Sequence, residues 1–558
     1  MENRDNNNVA SIVDSVSSRS TYSTSNSTEE YNDVNITKED QPAQDSNFEY
    51  AASTITNPRE HYFQGSALKE YLFIMTAMLT QVLNQSGTTQ TLTLFNVLSK
   101  SFNSSTQQSS WLMASFPLVS GSFILISGQL GDIYGLKKVL MFGYVMICIW
   151  ALIAGLSMYA HNSEFFIVCR AFQGFGIAFI LPNVMGIVGN IYLPGTQKKN
   201  MVISLIGACA PIGATCGTFW SGLIAHYSSN WAWTFYAYSI LSFLCLIAVI
   251  FCVPSNIPKN TRNIKMDWIG SFIGVVGLIL FNFVWNQAPI VGWNQAYCIA
   301  LLIIGFVFII LFFIYELKFA QYPLIPKAIF HNHRLLLILT AVFLGWGSFS
   351  NWMFYYVNIL LNLRHYSTLW TGGTYFVFFI FGFSAALIVG FTIKRINPSI
   401  LLFFSMCAFT TGSAMLSVVP VHQNFFRMTF GMMIILSFGM DFSFPSSSIV
   451  LSDELPRANQ GMAGSLVNTM INYGMSLFLG FGTTVEAEVR KKHPDDVLLG
   501  YRAALYFSTG LAGLGICVAA VYMIEHLLFA RLKTNTDKDN GENNNFGMLE
   551  ADKNEISN

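Results

Sequence analysis

The sequence predicts an all-α polytopic membrane protein with fourteen transmembrane helices, arranged six, two and six. Three observations predict it. Of the 558 residues, 53% are hydrophobic and only 11% are charged, whereas soluble chains carry about 25% charged residues. Apolar runs of the ~20 residues that cross a bilayer as a helix recur along the chain. Lys and Arg crowd the loops on one side of those runs, as they do on the cytosolic side of membrane proteins.

Residues 1–68 are polar and rich in Ser, Thr, Asn and acids. They lack the apolar core of a cleavable leader and offer too little apolar surface to offset the entropy of ordering. A disordered cytosolic tail is expected, either passive or, around residues 11–28, a target of regulatory kinases. The first six-helix half, 69–255, holds runs at 70–95, 110–130, 139–159, 164–190, 200–225 and 231–253. An inserted segment, 256–334, holds two more at 268–288 and 295–315. The second half, 335–530, holds 335–360, 368–393, 399–419, 425–452, 460–482 and 501–529. Residues 531–558 again read as a disordered tail.

With the N-terminus in the cytosol, inner loops carry sixteen Lys and Arg and outer loops seven, which fixes the orientation. The last outer loop is the exception, with Arg490, Lys491 and Lys492 beside Glu486, Glu488, Asp495 and Asp496. An even span count places the C-terminus inside too. Asn26 and Asn35 begin glycosylation sequons in the inner tail and are expected to carry no glycan. Mass spectrometry of the native protein checks this, and a glycan on either reverses the orientation.

Composition narrows the function classes. Net charge is zero, so nothing points to a nucleic-acid partner. The nine cysteines form no Cys-x-x-Cys pair, and the nine histidines lie in loops, tails or span ends, so neither disulfides nor a metal centre is expected. No phosphate-binding loop is present for ATP hydrolysis. An enzyme is disfavoured, no cofactor is expected, and a proton gradient is the available driving force. The expected partners are the lipid bilayer, protons and a small-molecule substrate, and the protein is expected to be monomeric.

Several segments carry more than a lipid-spanning helix needs. A junction of glycines, one acid and paired lysines, Gly131-Asp132-Ile-Tyr-Gly135-Leu-Lys137-Lys138, joins the second and third runs. Span four contains Arg170-Ala-Phe-Gln173-Gly174, with Gln173 and Gly174 on the face of Arg170. A charge within the membrane is costly and usually faces the bundle interior. Arg170 therefore reads as a cavity-facing cation or as a structural arginine bonded to backbone carbonyls. Span five carries Gly207-Ala-Cys-Ala210-Pro211-Ile-Gly213-Ala-Thr-Cys-Gly217, a small-residue face that lets helix backbones approach closely. Span one has an uncharged stripe of Gln81, Asn84, Gln85 and Thr88, which favours a neutral or weakly polar cargo. Trp346 and Trp352 are candidates for a cavity wall or for packing.

An internal repeat underlies this pattern. Phe175-Gly176-Ile-Ala178-Phe179-Ile-Leu-Pro182 in span four matches Phe438-Gly439-Met-Asp441-Phe442-Ser-Phe-Pro445 in span twelve at four of eight positions, and Pro194 and Pro456 follow in the next inner loops. Asp441 is the one carboxylate read as lying deep within a span, and its repeat mate is Ala178. Ser437, Asp441 and Ser448 fall on one helical stripe. A buried carboxylate can load and release protons, so Asp441 reads as a coupling group, a packing acid or a partner of Arg170.

These motifs, in order at their spans, resemble the major facilitator superfamily. The span-two junction resembles its loop motif, span four its Arg-x-x-Gln-Gly motif, and span five its antiporter motif with Ala210 in place of glycine. Trp231-Ala-Trp-Thr-Phe235 resembles its span-six start with Ala232 in place of arginine. With fourteen spans, the chain resembles the fungal drug:proton antiporter family 2, and within it yeast efflux pumps for aminotriazole and boron resistance. The resemblance implies a major facilitator fold and proton-coupled export of small toxic compounds, aminotriazole- or borate-like, that confers multidrug resistance. The plasma membrane is favoured over the vacuolar membrane. It also implies that Asp132 latches the inner side against the start of span thirteen near Gln460, with the turn alone as the other reading. A same-fold carrier of siderophores or vacuolar amino acids is the alternative, and a lone Asp441 argues against a basic amino acid.

Overall fold

The structure, a computed structural model, describes residues 58–103, 108–193, 196–228, 230–257, 265–392, 395–454 and 460–556. The tail over 1–57, with its kinase-target stretch, and loop residues such as Pro194, Lys394 and Pro456 lie outside these. Among the described residues every regular element is a helix. A short helix, α1 (Pro58–Phe63), precedes α2 (Ala67–Thr89). Helix thus precedes the half expected to begin at 69, because Tyr62 and Phe63 are buried and Phe63 packs on Phe73 at 5.6 Å.

After α3 (Phe95–Phe102) come α4 (Ser109–Tyr134) and α5 (Leu136–Leu156), then the broken pair α6 (Ser163–Ala178) and α7 (Leu181–Ile191), α8 (Gln197–Tyr227) and α9 (Trp233–Cys252). Pro182 sits in the first turn of α7, where its missing N–H costs nothing. The insert is α10 (Trp268–Val291) and α11 (Ala296–Lys318). The second half follows a short α12 (Lys327–His331): α13 (His333–Asn358), the broken pair α14 (Thr368–Thr374) and α15 (Phe376–Thr392), α16 (Pro398–Val418), α17 (Thr429–Glu454), α18 (Gln460–Lys492) and α19 (Val497–Ile556). Starts are set by side-chain caps: Ser66, Asn162, Thr196, Asp267 and Asn332 each accept from a backbone N–H of the first turn. At the α4–α5 junction Gly135 has φ +108°, which a residue with a Cβ rarely adopts.

One expectation changes. Helix α19 runs 60 residues, through Ile556, over a stretch whose composition predicts disorder from 531. The packed span supplies the nucleus, so extension needs only propagation. Among the described residues twelve helices, with consecutive pairs counted together, are long and apolar enough to cross a membrane by length and composition, against fourteen expected runs. The two left out are α2 and α18. Their 23 and 33 residues are long enough at ~1.5 Å per residue, but Gln81, Asn84 and Gln85 in one and Asn468, Asn472 and Glu486 in the other lower their apolarity.

Two antiparallel seams join the halves. Along α4 and α18, Ser476 Oγ donates to the Ala114 carbonyl at 3.1 Å. On the same seam a Cβ on Gly121 would lie 2.5 Å from Tyr473 N, and one on Gly128 2.6 Å from Ser465 Oγ. Along α8 and α14–α15, Thr368 Oγ1 donates to the Gly222 carbonyl at 3.0 Å, Thr215 Oγ1 to that of Tyr375 at 2.7 Å, and Gln197 Nε2 to that of Gly390 at 3.3 Å. The sequence repeat pairs α4 with α14–α15 and α8 with α18, so each seam is the image of the other. In the insert, Gly277 faces Ile309 and Gly305 faces Phe281, while α10 leans on α18 through Tyr473 Oη to the Leu278 carbonyl at 3.0 Å. Helix α11 leaves Ile299, Ile303, Phe306 and Ile310 exposed, a belt suited to lipid rather than water.

Candidate functional site

Where the seams converge, a small cavity remains. Helix α2 lends Gln81, Asn84 and Gln85, helix α8 lends Gly207 and Ala210, and α13 lends Trp346. Helix α17 adds Met440, Asp441 and Phe444, and α18 adds Asn468, Ile471 and Asn472. The room for water centres is about 10 Å³, enough for about one water. Asp441 is 2% exposed and its Oδ2 has no hydrogen-bond partner. It lies where Gly382 and Pro211 leave space, since a Cβ on Gly382 would sit 2.6 Å from Oδ2. Trp346 is oriented by its indole N–H, which donates to Ser443 Oγ at 3.0 Å.

Two prolines add polarity without adding charge. Pro211 lies inside α8 and Pro445 inside α17. Each lacks the N–H that would bond the carbonyl four residues earlier, and those carbonyls belong to Gly207 and Asp441, both in the cavity wall. The two prolines are neighbours across the seam, with Pro445 Cγ 3.0 Å from a Cβ placed on Gly207. One carboxylate, five side-chain amides and two residues whose carbonyls lack a helix bond thus line one water-sized space. Such a lining suits a small hydrogen-bonding solute.

The space is closed toward both ends. Toward Asp132, Gly128 meets Ser465 and Gly464 meets Met185. Toward Glu486, Asn96 Nδ2 donates to Asn362 Oδ1 at 2.9 Å and Gly222 meets Thr368. The small face of α8 makes this closure possible. Gly213 abuts Val82, Gly217 abuts Ser86 and Thr89, and the carbonyls of Gly213 and Ala214 accept from Ser86 and Thr89 hydroxyls at 2.9 and 3.1 Å.

The family model of the Major Facilitator Superfamily matches residues 77–479. The chain belongs to the Major Facilitator Superfamily. It is 58% identical over 474 residues to the aminotriazole resistance protein of Saccharomyces cerevisiae, covering 84% of this chain and 87% of that one. It is 40% identical over 465 residues to the low affinity ammonium transporter of the same yeast, covering 82% and 89%, and 37% identical over 463 residues to the efflux pump terJ of Aspergillus terreus, covering 82% and 88%. Among solved structures, the proton:xylose symporter XylE shares the fold at TM-score 0.56 and 13% identity, covering 82% and 95%. The protein is a multi-pass membrane transporter, not an enzyme.

In this superfamily member the motif residues separate into distinct jobs. Gly131 lets Asn183 approach, and Asn183 Nδ2 donates to Ser127 Oγ at 3.0 Å. Lys137 turns away from the seam: its ammonium donates to the carbonyls of Ile250 and Val253 at 2.9 and 2.7 Å and to Ser255 Oγ at 3.0 Å. It closes the C-terminal end of α9, where the helix dipole favours a cation. Lys138 is exposed. Asp132 stands at the end of α4 from which antiparallel α18 begins.

Arg170 and Asp441 are not brought together. Arg170 is fully buried. Its Nη1 donates to Gln173 Oε1 at 2.7 Å, its Nη2 to the Gly87 carbonyl at 2.6 Å, and the guanidinium lies 4.8 Å from the Phe116 ring centre. Gln173 is fixed in turn by donating to the Trp150 carbonyl at 3.2 Å. Neither lines this cavity, and the bond to the Gly87 carbonyl is of the kind a structural arginine makes. Trp352 also lies away from it, stacked on Tyr356 at 4.7 Å. Ser437, donating to the Met433 carbonyl at 2.9 Å, and Ser448 do not line it either.

Sequence reasoning missed Asn468 and Asn472, whose spacing of four marks one helix face. It also missed Glu70, the first residue of the 70–95 run, which is 1% exposed. Its carboxylate pairs with Arg59 Nε at 2.8 Å and with Lys198, and accepts from Tyr192 Oη at 3.0 Å. This cluster ties α1, α2 and the start of α8. Arg59 and Lys198 are half exposed, which weakens the pairs. Glu70→Ala is expected to cost about 1–2 kcal/mol of stability, and thermal unfolding of the purified protein measures it.

Proposed function

We propose that the chain is a proton-coupled antiporter that exports small, polar, hydrogen-bonding compounds, aminotriazole among them, and so confers resistance to toxic compounds. One observation carries the coupling: the deep carboxylate of Asp441, with an oxygen that no protein group satisfies, in a closed cavity between the halves. Protonated, it needs no counter-charge in a dry site; ionised, it needs water or a bound solute. A group with that choice can carry a proton across as the cavity opens first to one side and then to the other. The names of the relatives, an aminotriazole resistance protein and an efflux pump, support the cargo class and the direction. No cofactor is needed beyond the proton gradient.

In this reading α2 and α18 also span the bilayer, because each lies lengthwise against a membrane helix of full span. The count becomes fourteen, with both termini cytosolic and the Asp132 end facing the cytosol. The plasma membrane is the favoured site, and the working unit is a monomer. Asp132 stabilises the N-terminal end of α18 when the cytosolic side is closed, a contact worth ~0.3–1 kcal/mol when exposed and more when partly buried. Asp132→Asn is expected to lower efflux at normal protein level and to raise the reactivity of cysteines introduced near Gln460. Unchanged rates and reactivity would leave Asp132 a turn residue.

A second cargo has support of its own. A relative is named a low affinity ammonium transporter, and a single carboxylate among amides also suits a small cation. Labelled aminotriazole and methylammonium, each offered to inside-out vesicles with an imposed proton gradient, separate the readings. Gradient-driven accumulation of aminotriazole supports the main one, and accumulation of methylammonium alone replaces it. Siderophore and vacuolar amino-acid export remain the other same-fold cargoes, tested in the same vesicles.

A further inference from the structure

The insert holds a second pair of buried acids, remote from the central cavity. Asp267 caps α10, its Oδ1 accepting from Gly270 N at 2.9 Å. Glu316 lies in the last turn of α11, its Oε2 accepting from Ile325 N at 3.5 Å. They are 8% and 1% exposed. Each keeps one oxygen for the protein, and the other, Asp267 Oδ2 and Glu316 Oε1, is buried with no hydrogen-bond partner. Both orphan oxygens point at one place, the side of Gly270 where a Cβ is missing. A Cβ there would lie 2.8 Å from Glu316 Oε1 and nearer still to Asp267 Oδ2.

Two buried carboxylates that converge on a single point cannot both stay ionised without a counter-charge. Lys265, Lys318 and Lys327 are exposed, and none forms an ion pair with either acid. Tyr315 Oη donates to Asp267 Oδ1 at 3.3 Å, on the oxygen already used. Among the described residues no group of three or more His, Cys, Asp or Glu could hold a metal ion, and a single methyl group on Gly270 would already crowd both oxygens. A proton fits; a hydrated cation does not.

We propose that Asp267 and Glu316 bind one proton between them, as a carboxyl–carboxylate pair that clamps α10 to α11. The proton comes from water, one acid becomes the O–H donor and the other the acceptor, and its loss leaves two negative charges facing each other. The clamp reaches the span-two junction. The chain leaving Glu316 passes Tyr322, whose carbonyl accepts from Gln129 Nε2 at 3.2 Å, three residues before Asp132. Releasing the pair therefore loosens the loop that holds α4 at the end where α18 begins.

The sign of the pH dependence follows. The shared proton binds only where the fold holds the two carboxylates face to face; in the unfolded chain they stand apart in water. Its contribution to stability is full in acid and is lost as pH rises through the folded pair's dissociation. Thermal unfolding of the purified full-length protein from mildly acidic to mildly alkaline pH reads this. The wild type is expected to lose stability as pH rises. Glu316→Gln, which replaces the shared proton with an amide N–H, is expected to flatten that fall and to exceed the wild type in alkali. Asp267→Asn, which retains a capping side chain, is the second variant should the first not fold, with the same expectation. A wild-type fall reproduced unchanged in the folded variant overturns the proposal. So does a rise in wild-type stability with sodium, magnesium or calcium that the variant lacks, since that marks a cation site. The readout is independent of transport, so it stands or falls apart from the antiport reading.

Discussion

Asp441→Asn is expected to abolish uphill, pH-driven efflux while leaving substrate binding and downhill exchange intact. Asparagine matches the shape and hydrogen-bonding of the protonated acid but can never release a proton. The variant should cycle as a permanently loaded carrier, exchanging cargo across the membrane without concentrating it. Folding should survive, because the acid makes no ion pair and the amide removes the need to bury a charge. Cells carrying only this variant should lose resistance as completely as a deletion strain, at wild-type protein level. Efflux from loaded vesicles, with and without a proton gradient, separates coupling from binding. An Asp441→Asn protein that still concentrates substrate with normal pH dependence moves the coupling role elsewhere.

Arg170→Ala is expected to damage the protein rather than the transport cycle. The guanidinium is enclosed by Gln173, the Gly87 carbonyl and the Phe116 ring. Its removal leaves a carbonyl and an amide oxygen unsatisfied and opens a cavity, together ~3–5 kcal/mol. The expected result is low abundance in the membrane and a broad, early-eluting peak in size-exclusion chromatography. Arg170→Lys should be intermediate, since one ammonium can keep the charge but not the two-pronged geometry. Full abundance of Arg170→Ala with lost efflux would return the arginine to the transport machinery.

Much of the fold was legible because a bilayer imposes a strong filter on sequence. Span positions, the amide stripe of α2 and the small face of α8 follow from apolar length and helical period. The site was legible only in part, for reasons that particular residues make plain. Ser437 and Ser448 share the helical angle of Asp441 but lie four and seven residues along the axis, and the cavity is too short to reach them. Trp346 and Trp352 are six residues apart, about 120° around the helix, so one facing the cavity turns the other away. Arg170 was assigned two readings because its decisive partner is a backbone carbonyl of α2, which no side-chain pattern reveals. Glu70 stood near a span end, where an exposed acid is ordinary; its burial depends on α1, which composition placed in a disordered tail. The carbonyls freed by Pro211 and Pro445 were readable in principle, four residues before each proline, but only the fold shows that Gly207 and Asp441 stand in one cavity wall.

The central claim is antiport, and proton movement tests it most directly. In proteoliposomes of the purified protein, with a pH-sensitive dye inside and an outward gradient of aminotriazole as the only driving force, substrate leaving should draw protons in. The account predicts internal acidification that requires substrate and is absent with Asp441→Asn, although labelled aminotriazole still exchanges. Substrate efflux by the wild type with no change of internal pH, or with alkalinisation, would contradict it.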